Sequence, residues 1–417
     1  MSAVPEVPQR STGPAHDGRA LARCVADPEA FASAWGSRPL LATASELPRS
    51  FDDLLDLDGV DELLSRRGLR TPFLRMAKDG VVVDSGRYTR SGGVGAAIGD
   101  QVDDTAVTRL FAEGTTIVLQ ALHRLWPPII EFAGALAGEL GHPIQVNAYV
   151  TPPSSRGFDA HYDIHDVFVL QLAGEKRWIV HEPVHEWPLR SQPWTQRRRQ
   201  VERAVAETTP TIDAVLRPGD ALYLPRGFLH SAEALGDVSA HLTVGIHVVT
   251  RQALVEALVA AAEDEAGLRQ ALPVGLDPTS AEALAEDLEA TIDVLTASLL
   301  SVDPESVAAR LAASLATSTK PSPIAPLEQA AAAERLTPST RVHLRPGLQA
   351  RFEDTEGRAV LRLPGETLEV DADEADAVTA LLDREPWRVD ALPGQPESVA
   401  DLVRRLLVRG VVVPSAF

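Results

Sequence analysis

Between residues 146 and 246 apolar residues come in short runs cut by glycine and proline, the pattern of β-strands joined by turns. Residues 146–151 read as a strand. Residues 167–172 read as a second, apolar strand, Ala173-Gly174 as a turn, and residues 177–180 as the returning strand of a hairpin. Arg217-Pro218-Gly219-Asp220 predicts a turn, residues 221–224 a short strand, Pro225-Arg226-Gly227 another turn, and residues 242–246 the last strand. Ahead of this block the pattern is mixed. Asp27-Pro28 caps a helix over 29–35, and residues 51–64 predict another, with Leu54, Leu55, Leu57, Leu63 and Leu64 inward. Residues 114–122 read as a buried strand, and Pro127-Pro128 opens a helix running to Leu140, since proline suits a first turn.

From Arg251 the period changes from two to about 3.6. Leu254, Leu258 and Leu268 predict one helix, and Leu284, Leu288, Ile292, Leu295 and Leu299 a second with an unbroken apolar stripe. That stripe is longer than covering a neighbouring sheet needs, so residues 251–320 are expected to form a helical region that makes a homodimer. Pro321, Pro323 and Pro326 mark a linker. Beyond it, residues 361–370 predict a hairpin around Pro364-Gly365, residues 373–382 and 397–409 helices, and residues 411–413 a closing strand. Helices followed by a β wing give residues 321–417 a winged-helix outline.

At 417 residues the chain holds several domains by the usual guide of about 100–200 residues each. No apolar run reaches the roughly 18 residues that span a bilayer. Residues 1–20, rich in Pro, Ser and Gly, lack a basic start followed by an apolar stretch and are expected to be a disordered leader, not a signal peptide. A single cysteine, Cys24, excludes an internal disulfide and fits a reducing cytoplasm. With 39 basic and 59 acidic residues the net charge is −20, which repels nucleic acid and favours basic partners. The basic run Arg197-Arg198-Arg199 is expected to be a solvated loop, and the glycine-rich 91–99 a turn without phosphate-loop context.

Candidate chemistry starts at His161-Tyr162-Asp163. Residues two apart on a strand share a face, so His161 and Asp163 converge, and His230, delivered by the turn at 225–227, can close a triangle. Two imidazoles and one carboxylate, with positions left open, are the ligand set of non-haem Fe(II) oxygenases. His165, His181 and His185 are expected near the site or at the surface without ligating, His165 on an outer turn and the others in the loop after the hairpin.

At these residues the chain resembles a known family. TPPSSRGFDAHYD, DVFVLQLAGEKRW and RPGDALYLPRGFLHSAE look like the JmjC/cupin-fold ribosomal oxygenases, Fe(II)- and 2-oxoglutarate-dependent protein hydroxylases; Phe31-Ala32-Ser33-Ala34-Trp35 and TIVLQALHRLWPP extend the likeness toward the N-terminus. The resemblance implies an α+β fold: a double-stranded β-helix barrel with flanking helices over 21–250, then the helical dimerisation region and the winged-helix-like domain. It also implies that His161, Asp163 and His230 hold Fe(II), and that dioxygen and 2-oxoglutarate fill the open positions. A lysine on an apolar strand is costly unless paired. The resemblance makes Lys176 the grip on the far carboxylate of 2-oxoglutarate, with Arg177 facing outward by alternation. Asn147, Tyr149 and Ser239 are its further implied cosubstrate contacts. The implied substrate is a basic protein, a ribosomal protein hydroxylated at histidine or arginine. A small-metabolite oxygenase, a non-catalytic metal-binding cupin and a zinc hydrolase are the alternatives; the last two have no use for Lys176.

Overall fold

Two long strands pair along their whole length and carry most of the site. They belong to the first of two compact units, which divide between Val248 and Val249 in a computed structural model. The structure describes residues 20–415 other than 79, 154, 156–158, 356 and 357, so the expected leader, Ala20 apart, lies outside the described residues.

In chain order the first unit begins with α1 (Pro28–Ala34), capped by Asp27, whose carboxylate accepts from the amides of Glu29 and Ala30. Then follow β1 (Leu40–Ala42) and α2 (Leu57–Arg66). The helix expected from residue 51 starts only at Leu57, because Asp56 caps it by accepting from the Gly59 amide; Leu57, expected inward, is 41% exposed. Strands β2 (Leu74–Lys78) and β3 (Val81–Val82), a small ribbon of β4 (Thr89–Arg90) and β5 (Gln101–Val102), and α3 (Asp104–Ala112) come next. The four residues of β6 (Thr116–Leu119) are all buried, and α4 (Pro127–Leu140) stops at Gly141, in the left-handed conformation with φ 69°. The remaining elements are β7 (Ile144–Thr151), β8 (Asp166–His181), α5 (Arg198–Glu207), β9 (Ile212–Leu216), β10 (Ala221–Leu224) and β11 (Leu229–Ile246). The basic run at 197–199 thus opens a helix instead of a loop, and Arg198 lies 4.5 Å from the centre of the Trp194 ring.

All pairings in the main sheet are antiparallel, in the order β1-β10-β8-β11-β7-β6-β2-β3, with β9 added on β8. This is the antiparallel cupin-type sheet with helices around it that the α+β expectation describes. Its apolar face carries Leu74, Met76, Leu119, Val150, Phe168, Leu170 and Leu242 in one core with Phe31 of α1 and Leu136 of α4.

The expected hairpin at Ala173-Gly174 does not form. Residues 166–181 are one strand, paired with β11 from Asp166↔Ile246 to His181↔Leu229. What the sequence offers as a turn is a bulge. Gly174 has φ 62°, and a Cβ there would collide with the carbonyl oxygen of Val238. Opposite it the β11 register jumps between Leu235 and Ala240. The extra residue shifts the phase of alternation by one. Val167 and Val169 before the bulge and Lys176 and Trp178 after it therefore line the same cavity. The last strand likewise starts at Leu229, not at 242.

The second unit holds α6 (Arg251–Ala262), α7 (Ala281–Ser301), α8 (Pro304–Ser318) and α9 (Pro326–Glu334), then β12 (Arg341–Leu344), β13 (Arg351–Thr355), β14 (Arg358–Leu363), β15 (Glu366–Val370), α10 (Ala375–Leu381), β16 (Trp387–Arg388), α11 (Pro396–Val408) and β17 (Val412–Pro414). Leu268, expected on the first of these helices, lies beyond its end in a 3-10 turn. The sheets β16-β12-β17 and β13-β14-β15 pack with α10 and α11 around Val342, Leu361, Val378, Leu402 and Leu406. Among the described residues no helix is long and apolar enough to cross a membrane.

Gly174→Ala tests the bulge. A β-carbon must be accommodated against backbone at a left-handed φ, so the substitution is expected to destabilise the first unit by about 2–4 kcal/mol. Chemical denaturation followed by tryptophan fluorescence reads this; an unchanged midpoint would refute the need for glycine.

Candidate functional site

His161 lies outside the named strands but pairs with β11 as an isolated bridge: its amide donates to the His230 carbonyl at 3.1 Å, and the His230 amide donates back at 2.8 Å. Directly opposed residues of an antiparallel pair point to one side, and the two imidazole rings stand 4.5 Å apart. Asp163 follows two residues on, its carbonyl accepting from the Gly227 amide at 3.0 Å, so the Pro225-Arg226-Gly227 turn is tied to the ligand pair it faces. Ligand atoms of His161, Asp163 and His230 all lie within 4.8 Å of one another.

The imidazoles are oriented by backbone. Nδ1 of His161 lies 2.7 Å from the Asp159 carbonyl and Nδ1 of His230 3.1 Å from the Phe228 carbonyl. A carbonyl only accepts, so each Nδ1 carries the proton and each Nε2 presents its electron pair, the tautomer a metal ligand requires. Burial, then the neighbouring His161, push the pKa of His230 down to about 4, keeping it neutral. Burial works against ionising Asp163, but His165, His230 and His161 outweigh it and hold the carboxyl below its ordinary value. One carboxylate and two imidazoles therefore face one point.

A cavity of about 280 Å³ opens from this triangle, and Lys176 lines it. Lys176 is only 3% exposed; its Nζ donates to Thr151 Oγ1 at 3.1 Å and, among the described residues, makes no ion pair. Burial lowers its ammonium to about 8. Arg177 points out instead and forms two hydrogen bonds with Asp213, at 2.7 and 2.6 Å. Tyr149 also lines the cavity, stacked on His241 with ring centres 5.2 Å apart, and His241 stands edge-on to Trp178 at 5.5 Å.

Two residues implied as cosubstrate contacts are not brought to the cavity wall. Asn147 turns its Oδ1 to the Ala121 amide at 3.0 Å, and Ser239 is fully buried with its hydroxyl accepting from Gln171 at 3.0 Å. Asn147 thereby ties β7 to the turn after β6, and Ser239 ties β11 to β8. His181 lies at the end of β8, not in a loop, with Nδ1 2.9 Å from Thr208 Oγ1, and His185 meets Gln192 at 3.0 Å. His165 stands edge-on to His247 at 5.2 Å. Residues missed by the sequence reading are Thr151, Trp178, His241 and Arg75. Thr151 was findable, since it continues the face of Tyr149 two residues on. Trp178 continues that of Lys176. Arg75 carries no local signal, because three paired strands bring it to the cavity. A further cavity of about 320 Å³, in the second unit between β15 and α11, has no metal-type cluster among the described residues; Arg405 and Arg409 at its wall pair with Glu374 and Glu366.

The buried histidines imply a pH dependence for metal-free protein. Burial lowers His123, His230 and His247 to about 4 each, whereas an unfolded histidine titrates near 6.5. Between those values the unfolded chain binds more protons than the native one, so stability is lost as pH falls from about 7 to about 4. Melting temperatures of the chelator-treated protein should decline across that window; a flat profile would contradict the assignment.

With this geometry in view, comparison with known proteins gives a consistent picture. Residues 133–254 match the JmjC domain. Ribosomal oxygenase 1 of Rattus norvegicus is 35% identical over 178 residues, which is 40% of this chain and 29% of that protein. The bifunctional lysine-specific demethylase and histidyl-hydroxylase NO66 of Drosophila mojavensis is 28% identical over 285 residues, 64% of this chain and 30% of that protein. The chain thus spans less than a third of the length of these curated relatives. Among solved structures, the Escherichia coli ribosomal oxygenase YcfD superposes with a TM-score of 0.53 at 18% identity over 94% of this chain and 99% of that one. The same protein in complex with cobalt and 2-oxoglutarate gives 0.52 at 18% identity over 93% and 98%. At that identity the structures speak for the fold alone. Residues 133–254 are thus similar to the JmjC domain, and the chain resembles ribosomal oxygenases over part of its length.

Proposed function

We propose that the protein is an Fe(II)- and 2-oxoglutarate-dependent oxygenase that hydroxylates a side chain of a basic protein. One observation carries this reading: a buried lysine with no ion pair among the described residues shares a cavity with a two-histidine, one-carboxylate cluster. A buried cation left alone is unfavourable by several kcal/mol, and a dicarboxylate cosubstrate is the partner that removes the penalty. A metal-binding scaffold or a zinc hydrolase would leave Lys176 without a role.

The residues fit the group. His161, Asp163 and His230 would hold Fe(II) on one face, their tautomers and charge already suited to a divalent ion. Lys176, steadied by Thr151, would grip the far carboxylate of 2-oxoglutarate. Bound together, Fe(II), 2-oxoglutarate and dioxygen supply C–H hydroxylation chemistry, with succinate and carbon dioxide as co-products. The chain contributes orientation and a partly apolar wall, with Tyr149, Trp178 and Val169 lining the cavity.

The substrate we propose is a ribosomal protein, met as an extended basic segment and hydroxylated at histidine or arginine. Support comes from the net charge of −20, which draws cationic partners, and from the names of the sequence relatives. The Cys24-only composition suits action in the cytoplasm. Succinate release from Fe(II)-loaded protein, given 2-oxoglutarate and a basic ribosomal peptide, tests the whole reading. Asp163→Ala and His230→Ala are expected to abolish release without unfolding the protein. Lys176→Ala should raise the 2-oxoglutarate KM by at least about tenfold, as loss of a buried charge partner does, while Arg177→Ala stays near wild type. Turnover by either ligand variant would end the metal assignment.

We also propose that the helices of the second unit form a homodimer and that its β13–β15 and α10–α11 part is a winged-helix-like, partner-binding appendage. On α7, Leu288 and Ile292 are 56% and 52% exposed, an apolar stripe facing solvent in the single chain. Sedimentation at micromolar concentration is expected to give twice the 44.7 kDa chain mass; a 44.7 kDa species alone would reject the dimer.

A further inference from the structure

Arg75 is a cavity residue that neither the metal triangle nor the cosubstrate grip uses. It sits on β2 opposite Val118 of β6; Val118 is opposite Tyr149 of β7, and Tyr149 opposite His241 of β11. Residues opposed across successive strands share a face. One row across four strands therefore presents a guanidinium beside the Tyr149–His241 stack, and Arg75, Tyr149 and His241 all line the cavity. Burial and then Asp163 raise the Tyr149 phenol, while the Arg75 guanidinium, hydrogen-bonded to it, pulls the other way. Its Nε is buried without a hydrogen-bond partner, and among the described residues Arg75 makes no ion pair. A guanidinium that lines the cavity and makes no ion pair among the described residues favours an acceptor there.

The charges around the cavity say what kind. Among the described residues Asp163 is the one carboxylate in the lining, against the two cations Arg75 and Lys176. On the oxygenase reading Asp163 serves the metal. A cationic target side chain would then enter with no carboxylate to pair with and a guanidinium beside it. Aromatic faces compensate a cation only in part, and the Trp194 ring already has Arg198 over it at 4.5 Å. A neutral side chain with a lone pair meets the opposite situation: a donor from Arg75, the Tyr149 hydroxyl, and flat walls.

We infer that Arg75 is a specificity-determining residue that donates to a neutral, lone-pair-bearing target side chain, an imidazole or a carboxamide, and rejects arginine and lysine at that position. This rests on the oxygenase reading and narrows it: the flanking segment is basic, whereas the residue that enters is not.

The test separates the two. Four peptides of one basic sequence, differing only in a central His, Asn, Arg or Lys, are titrated anaerobically at pH 8 into Mn(II)-loaded protein saturated with 2-oxoglutarate, with binding read by tryptophan fluorescence. The wild type is expected to bind the His and Asn peptides at least about tenfold more tightly than the Arg and Lys peptides, as like-charge juxtaposition predicts. Arg75→Gln should flatten this ranking and Arg75→Glu invert it, with 2-oxoglutarate affinity unchanged in both. Equal wild-type binding of all four peptides, no binding of any, or an Arg75→Gln ranking identical to wild type overturns the inference. A tenfold loss of 2-oxoglutarate affinity in Arg75→Gln would instead give Arg75 to the cosubstrate and overturn it too. Because binding is read without turnover, absence of succinate release in air counts against the oxygenase reading alone.

Discussion

Everything at the site depends on the pairing of β8 with β11 and on the glycine that lets it bend. The two strands run antiparallel for their full length, sixteen and eighteen residues. One bears Val167, Val169, Lys176 and Trp178, the other His230 and His241. Strict alternation across sixteen residues would have put Lys176 on the opposite face from Val167 and Val169. The one-residue slip at Gly174 puts them together, and only a residue without a side chain can take its φ of 62° against Val238. A backbone constraint therefore decides an electrostatic outcome, the presence of an ammonium inside the cavity.

The entrance to that ribbon is locked by a second buried arrangement. Asp166, the first residue of β8, is fully buried; it accepts from the Tyr223 hydroxyl at 2.5 Å and from the Arg226 amide at 3.1 Å, with the Arg226 guanidinium at 3.5 Å. Tyr223 accepts in turn from the Gly36 amide at 2.9 Å. A carboxylate so satisfied ties the start of β8, the turn before His230 and the end of α1 into one rigid unit. The ligand triangle rests on that frame.

Much of this was legible in the sequence. The capped helix after Asp27, the helix opened by Pro127-Pro128, the turns at 217–220 and 225–227 and the HxD…H set all follow from local rules of capping, turn chemistry and period, and the structure has each of them. Lys176 was expected inward through a two-residue hairpin turn; it is inward through a bulge. Both devices reverse the phase of alternation, so the pattern of side chains could not tell them apart. The helix expected from residue 51 failed because the Asp56 cap outweighs the apolar spacing before it.

What the sequence determined by itself is what neighbours in the chain can determine: element type, caps, turns, and two ligands two residues apart. What only the tertiary structure decided is which strands lie side by side. Pairing turned Asn147 and Ser239 to strand-holding hydrogen bonds and away from the cavity. It carried Arg75 across β6 to stand in the row of Tyr149 and His241, from a strand seventy residues upstream with no motif around it. Register sets such meetings, and register comes from the summed burial of two whole faces, a quantity no short stretch of sequence contains.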